Sequence, residues 1–123
     1  MRLDIWYIAL ALLMLLLGEV FGEWMAQAHD HSVALVHSHL NVVGWASFAL
    51  FGLIHRAYPV LAQSRLALPQ FLLTVASAIF LIGGLWVIWA AGNPFGAIVG
   101  GVGLILATAL FAIMFFQSVV FAK

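Results

Sequence analysis

The chain has 123 residues, of which 67% are hydrophobic and 7% are charged, whereas about a quarter of the residues in a soluble domain are charged. This leaves too little polar surface to cover a water-soluble globule, so the composition predicts a single membrane-embedded domain. Four basic and four acidic residues cancel, which excludes the positive field that nucleic-acid binding needs. The absence of cysteine excludes disulfides, thiolate zinc sites and iron–sulfur clusters.

Four transmembrane helices are predicted from the spacing of the charged residues. The first apolar run resembles a signal peptide, because Arg2 precedes it and the sequence AQA at 26–28 follows it, but we interpret it as a span. One further span fits between Asp30 and Arg56, and two fit between Arg65 and Lys123, divided by the turn sequence AGNPFG at 91–96. The predicted class is an all-α integral membrane protein, a single domain over residues 1–123 with helices near 4–26, 35–58, 67–91 and 95–121.

The basic residues predict the orientation in the membrane. With four spans, all of them fall on one side, which the positive-inside rule makes cytoplasmic: Arg2, Arg56, Arg65 and Lys123. Both termini are therefore expected in the cytoplasm. We expect the protein in the bacterial inner membrane, with the loop at 27–34 on the periplasmic side. On the inner side, His55, Tyr7 and Tyr58 are interpreted as interfacial anchors.

Small residues predict close helix packing, within the chain or between chains. Gly18 and Gly22 share a face of the first helix, and the later candidates lie in the third and fourth helices: Gly83, Gly84, Gly96, Gly100, Gly101 and Gly103.

Ionisable side chains gather at the outer ends of the first two helices, where they are costly and indicate function. Glu19 and Glu23 lie four residues apart on one face of the first helix, so we expect them near the imidazoles of the second. Asn41 adds a polar group one turn further into that helix, and the imidazoles are those of His29, His31, His37 and His39.

His37 and His39 are two positions apart in the sequence, so on a helix their side chains point about 200° apart. They therefore cannot chelate one ion together, but each can enter a different crevice on opposite flanks of the helix. Histidine is a common ligand of haem iron and copper. A purely structural role, with both rings hydrogen-bonded to carbonyl oxygens or to Glu19 and Glu23, stays open.

The stretch from His37 to Gly52 reads HSHLNVVGWASFALFG, and Pro59 follows it. It resembles the tenth helix of haem-copper oxidase subunit I, with its His-x-His start, Ala-x-Phe-Ala-x-x-Gly pattern and later proline. It is also similar to the second helix of that family, whose single His aligns with His37. The chain resembles the small four-helix proteins of this oxidase-like group.

The resemblance implies haem b as cofactor, with His37 and His39 as axial ligands, and a fold like one third of subunit I. Subunit I consists of three four-helix arcs, so three copies of this chain would rebuild its outline. We therefore expect a homotrimer, in which His37 of one copy and His39 of the next hold a haem across the interface. The chain lacks the family's copper-site His pair and its cross-linked Tyr, so the resemblance assigns no oxygen-reductase activity.

Three functions remain open from the sequence. The first is a haem-binding membrane protein that transfers electrons or binds oxygen or nitric oxide. The second is a haem-free copper site formed by His29, His31, His37 and His39, with Glu19 or Glu23 nearby. The third is a structural or assembly partner of a respiratory or denitrification complex, with the His37 and His39 pair as a relic or as hydrogen-bonding groups.

Overall fold

A computed structural model describes residues 1–122, which form helices and turns but no strand. Four helices are long and apolar enough to cross a membrane, as the sequence predicts: α1 (Leu3–Ala28), α2 (Ala34–Ala57), α3 (Ala67–Ala91) and α4 (Phe95–Val120). The bounds lie within two residues of those expected from hydropathy. Within α2, residues Leu40–Ser47 are π-helical, and so are residues Phe116–Val120 at the end of α4.

Short connections join the helices. Residues Pro59–Gln63 form a 3₁₀ turn between α2 and α3. Helix α3 ends at Gly92, whose φ of 71° is the left-handed conformation that favours glycine at a helix C-terminus. The Asn93 side-chain oxygen then accepts the Phe95 backbone N–H at 3.0 Å and so closes the turn that leads into α4.

Helices α3 and α4 pack closely through glycine. A Cβ atom on Gly84 would collide with the Ala97 backbone nitrogen, and one on Gly100 would collide with the Leu81 backbone nitrogen and lie 2.7 Å from the Ser77 carbonyl oxygen. Gly96 and Gly103 also face α3, whereas Gly83 and Gly101 have open space around them. Of the six small-residue candidates in these helices, four therefore lie at the α3–α4 contact and two do not.

The two hairpins, α1–α2 and α3–α4, join through an aromatic core. The Tyr7 ring packs edge-on against Phe48 at 5.7 Å and against Phe71 at 4.9 Å. The Phe51 and Phe111 ring centroids lie 4.4 Å apart and connect α2 to α4. Aromatic contacts of this kind contribute about 0.5–1.5 kcal/mol each beyond the area that they bury.

The start of α1 and the end of α4 lie at the same end of the bundle, which we call the termini end. Arg56, at the end of α2, donates to Asp4 at 3.3 Å, and the Tyr58 ring contacts Phe115 near the end of α4 at 5.2 Å. The opposite end, with the α1–α2 loop and the candidate histidines, is called the histidine end. Tyr7 differs from its predicted role, because it is fully buried in the core rather than placed at the interface.

A buried polar network fixes the hairpins to each other. The Tyr7 hydroxyl donates to the Gln70 side-chain oxygen. The Gln70 amide donates to the Thr74 hydroxyl at 3.0 Å and to the Ala107 carbonyl at 3.2 Å. All of these side chains are buried, and the network links α1, α3 and α4.

We expect Tyr7→Phe to lower the free energy of unfolding by about 1–2 kcal/mol, because the buried Gln70 oxygen loses its donor. Unfolding in mixed micelles by sodium dodecyl sulfate, followed by circular dichroism, measures the change. Tyr58→Phe is the matched control, since Tyr58 is exposed and its hydroxyl makes no hydrogen bond within residues 1–122. Equal effects of the two substitutions would contradict the assigned role of the network.

The outward faces of the bundle are apolar, which suits contact with a lipid bilayer. Trp6, Trp24 and Trp89 are exposed, as expected for aromatic residues at a membrane surface. The exposed side chains include many large aliphatic ones: Leu12, Leu16, Val42, Leu50, Ile79 and Ile105. Length, hydropathy and surface together indicate a membrane protein.

Candidate functional site

His37 is seated against α1. Its ring Nδ1 donates to the Gly18 carbonyl oxygen at 2.7 Å, and its Cε1 lies where a Cβ on Gly22 would approach to 2.9 Å. Gly18 and Gly22 therefore form a close packing face, as predicted, and the His37 ring packs against it. Because a carbonyl oxygen can only accept, the proton of the neutral ring is on Nδ1 and the lone pair is on Nε2.

Asn41 covers the other side of the His37 ring. Its side-chain amide donates to His37 Nε2 at 3.3 Å, which one helical turn permits. The Asn41 side-chain oxygen contacts Gly18, where any Cβ would clash with it. Both nitrogens of His37 are therefore occupied, and Nε2 becomes available to another ligand only when the Asn41 side chain turns away.

His39 differs from His37 in having one free nitrogen. Its Nδ1 donates to the Leu35 carbonyl oxygen at 2.8 Å, four residues earlier in its own helix. The ring is partly exposed, and Nε2 has no hydrogen-bond partner within residues 1–122. His37 faces α1 and His39 bonds only within α2, in agreement with the different surroundings expected from their spacing.

A π-helical segment begins directly after His39. The Ser47 hydroxyl donates to the Val42 carbonyl five residues earlier at 3.1 Å, as the wider turn allows. Gly44 lies at the contact with α1, where a Cβ would come within 2.7 Å of the Met14 sulfur. Such segments are frequent at functional sites, and hydropathy gives no signal for them.

An open groove lies between α2 and α4 beyond His39. Its volume is about 340 Å³. Val43 and Ser47 follow His39 one and two turns along α2. The groove is mostly apolar, with two hydroxyl groups, and its lining residues are Val43, Ser47, Phe51, Leu104, Ile105 and Thr108.

The loop histidines have separate surroundings. His29 ends α1 in a left-handed conformation with φ of 51°, and its backbone N–H bonds the Met25 carbonyl. His31 is exposed. Between them, the Asp30 carboxylate accepts the Ser32 backbone N–H at 2.9 Å, and this hydrogen bond holds the pKa of Asp30 below its ordinary value. The loop is thus shaped by local capping bonds.

The carboxylates do not pair with the imidazoles as expected from the sequence. Glu19 and Glu23 are both exposed, and Glu23 accepts a hydrogen bond from the Gln27 side chain at 2.9 Å. Gly18 and Gly22, their immediate neighbours, face α2 instead. Since Glu19 follows Gly18 by one residue, it is rotated about 100° away from that face.

Within residues 1–122, no three His, Asp or Glu side chains lie close enough to share a metal ion. The four candidate histidines therefore do not converge in a single chain, so a metal or haem site must use fewer of them or include another copy. Comparison with protein-family models, curated proteins and solved structures finds no match to this chain.

The sequence interpretation missed the polar groups buried at the termini end. His55, expected as an interfacial anchor, is only 3% exposed and stacks on Tyr7 with ring centroids 5.8 Å apart. The bonds from Arg2 and Arg56 to Asp4 were not foreseen either. Hydropathy places these residues at a membrane edge, but it does not indicate which side of the helix they face.

Proposed function

We propose that this chain is a haem-binding membrane protein of the oxidase-like type, with His39 as an axial ligand of haem b. The observation that carries the proposal is the partly exposed His39 ring, whose Nδ1 is bonded to the Leu35 carbonyl and whose Nε2 is free. Metal-binding histidines are commonly oriented by such a bond from the other ring nitrogen. When bound, haem supplies one-electron chemistry or a site for a diatomic gas.

The second ligand in this proposal is His37 of another copy. Its Nδ1 is held by the Gly18 carbonyl, so Nε2 is its available nitrogen once Asn41 releases it. A ligand pair divided between copies requires an oligomer, and a closed homotrimer accords with the resemblance to one third of oxidase subunit I.

The orientation is part of the same proposal. The positive-inside rule makes the termini end cytoplasmic, so the histidine end would face the periplasm of a bacterial inner membrane. Arg2, Arg56 and Arg65 all belong to the termini end or its loop. The haem propionates would therefore be left to water at the membrane surface, since no Arg or Lys occurs from residue 3 to residue 55.

A haem-free copper protein is the second candidate. The charge of the histidine end favours it, because Glu19, Glu23 and Asp30 supply negative charge that attracts a cation. Imidazole suits copper. Since the four histidines of one chain do not converge, this candidate also needs ligands from more than one copy.

Titration of the purified protein with haemin, followed by absorption, tests the proposal. We expect saturable binding with a Soret band and, after reduction, the sharp visible bands of a six-coordinate b-type centre. Copper analysis of the same preparation gives the alternative outcome. A protein that binds neither haem nor copper, yet co-purifies with a respiratory or denitrification complex, would overturn both proposals in favour of a structural or assembly role.

A further inference from the structure

A second polar site lies at the termini end, between the start of α1, the end of α2 and the following 3₁₀ turn. It is a pocket of about 300 Å³. The polar part of its wall consists of Arg2, Asp4, His55 and Arg56. None of these residues belongs to the histidine end, so the pocket is independent of the proposed haem site.

His55 is the unexplained group in this pocket. Its side chain is buried, yet neither ring nitrogen has a hydrogen-bond partner within residues 1–122. The Tyr7 ring stacks on one side of it, and the Phe111 ring packs edge-on at 5.6 Å, so the aromatic neighbours offer no ordinary acceptor. A buried imidazole without partners is costly. His55 lines the pocket and both of its ring nitrogens are shielded by protein, so the ring must turn toward the pocket for a bound polar group to complete the site.

The net charge of the pocket favours an anion as the polar group that binds there. Arg2 binds both oxygens of Asp4, at 3.1 and 2.8 Å, and Arg56 binds one of them at 3.3 Å. Two guanidinium groups share one carboxylate, which leaves a net positive charge. Asp4 therefore holds the arginines in position without neutralising both of them.

Unused donors remain beside this charge. Within residues 1–122, Arg56 Nε and Nη2 and Arg2 Nη1 make no hydrogen bond. Helix α1 also begins here, but Asp4 in its first turn already offsets the positive end of the helix dipole, so the free guanidinium donors carry the attraction for an anion. Arginine donors with a nearby neutral imidazole are well matched to phosphate oxygens.

We infer that this pocket binds a phosphate group, with Arg2 and Arg56 as the charged donors and His55 as the buried one. The pocket lies where α1 begins and α2 ends, which is the depth of lipid headgroups if these helices span a bilayer. A phospholipid headgroup and a free phosphate compound share this chemistry, and experiment distinguishes them.

The test uses the full chain, purified in detergent and stripped of lipid. Native mass spectrometry measures retention of added phosphatidylglycerol or phosphatidylcholine, and ³¹P NMR measures binding of inorganic phosphate. We expect saturable binding of at least one probe. Arg56→Gln and His55→Phe should each weaken it by about tenfold or more, whereas Arg65→Gln, a cation at the same end but outside this pocket, should leave it unchanged.

His55→Phe provides a second readout that keeps the test valid if another variant folds poorly. Phenylalanine preserves the stacking on Tyr7 and removes the unpaired nitrogens, so thermal stability without ligand should stay equal or rise while stabilisation by the bound probe falls. Binding of phosphatidylglycerol or phosphatidylcholine without inorganic phosphate identifies a headgroup site, and binding of inorganic phosphate identifies a site for free phosphate. Binding of none of the three probes, or equal binding by wild type, Arg56→Gln and His55→Phe, would overturn the inference.

Discussion

Gly100→Ala is expected to destabilise the bundle by about 3 kcal/mol or more, the upper part of the usual range for overpacking. The added methyl group would meet the Leu81 backbone nitrogen and the Ser77 carbonyl. Backbone atoms cannot move aside as a flexible side chain does, so α3 and α4 would have to separate. Unfolding by sodium dodecyl sulfate in mixed micelles, followed by circular dichroism, measures the loss.

Adjacent glycines give matched controls for this prediction. Gly101→Ala places a methyl group in open space and should change stability by less than about 1 kcal/mol, in the stabilising direction because alanine favours helix. Gly84→Ala and Gly83→Ala form a second pair with the same expected contrast, since only Gly84 meets the α4 backbone. A larger loss at Gly101 or Gly83 would contradict the α3–α4 interface described above.

His39→Ala is expected to weaken haem binding by more than about 100-fold. Loss of a residue that only orients a metal ligand already lowers metal affinity by about 10–100-fold, and loss of the ligand itself should cost more. The fold should survive, since the His39 ring hydrogen-bonds only within its own helix. Haemin titration measures the affinity, and thermal unfolding of the haem-free protein measures the stability.

His37→Ala should behave differently. It removes the ring that fills the Gly18–Gly22 face and bonds the Gly18 carbonyl, so it should lower both haem affinity and the stability of the haem-free protein. His31→Ala, in the exposed loop, is the control and should change neither. If His39→Ala bound haem with the affinity of the wild type, His39 would not be an axial ligand.

The four helices could be predicted because long charge-free apolar segments dictate spans. The separate surroundings of His37 and His39 followed from helical geometry alone. Hydropathy reports only the cost of placing a segment in lipid, so it could not separate Gly84 from Gly83 or Gly100 from Gly101. These positions differ only in the direction that each faces.

The polar contacts of the site were less predictable. Asn41 was a candidate because it lies one turn from His37, and the structure places its amide on the His37 ring. The partners of Glu19 and Glu23 could not be derived, because a four-residue spacing fixes a shared face but not its direction. The π-helical turns after His39 and the burial of His55 depend on packing between helices, and no local pattern marks them.

The most direct test of the central claim is pulsed electron paramagnetic resonance of the ferric, haem-loaded protein with ¹⁵N-labelled histidine. We expect a low-spin signal with hyperfine coupling from two histidine nitrogens, and loss of one coupling in His39→Ala. A haem signal without histidine nitrogen coupled to the iron would contradict His39 as the axial ligand.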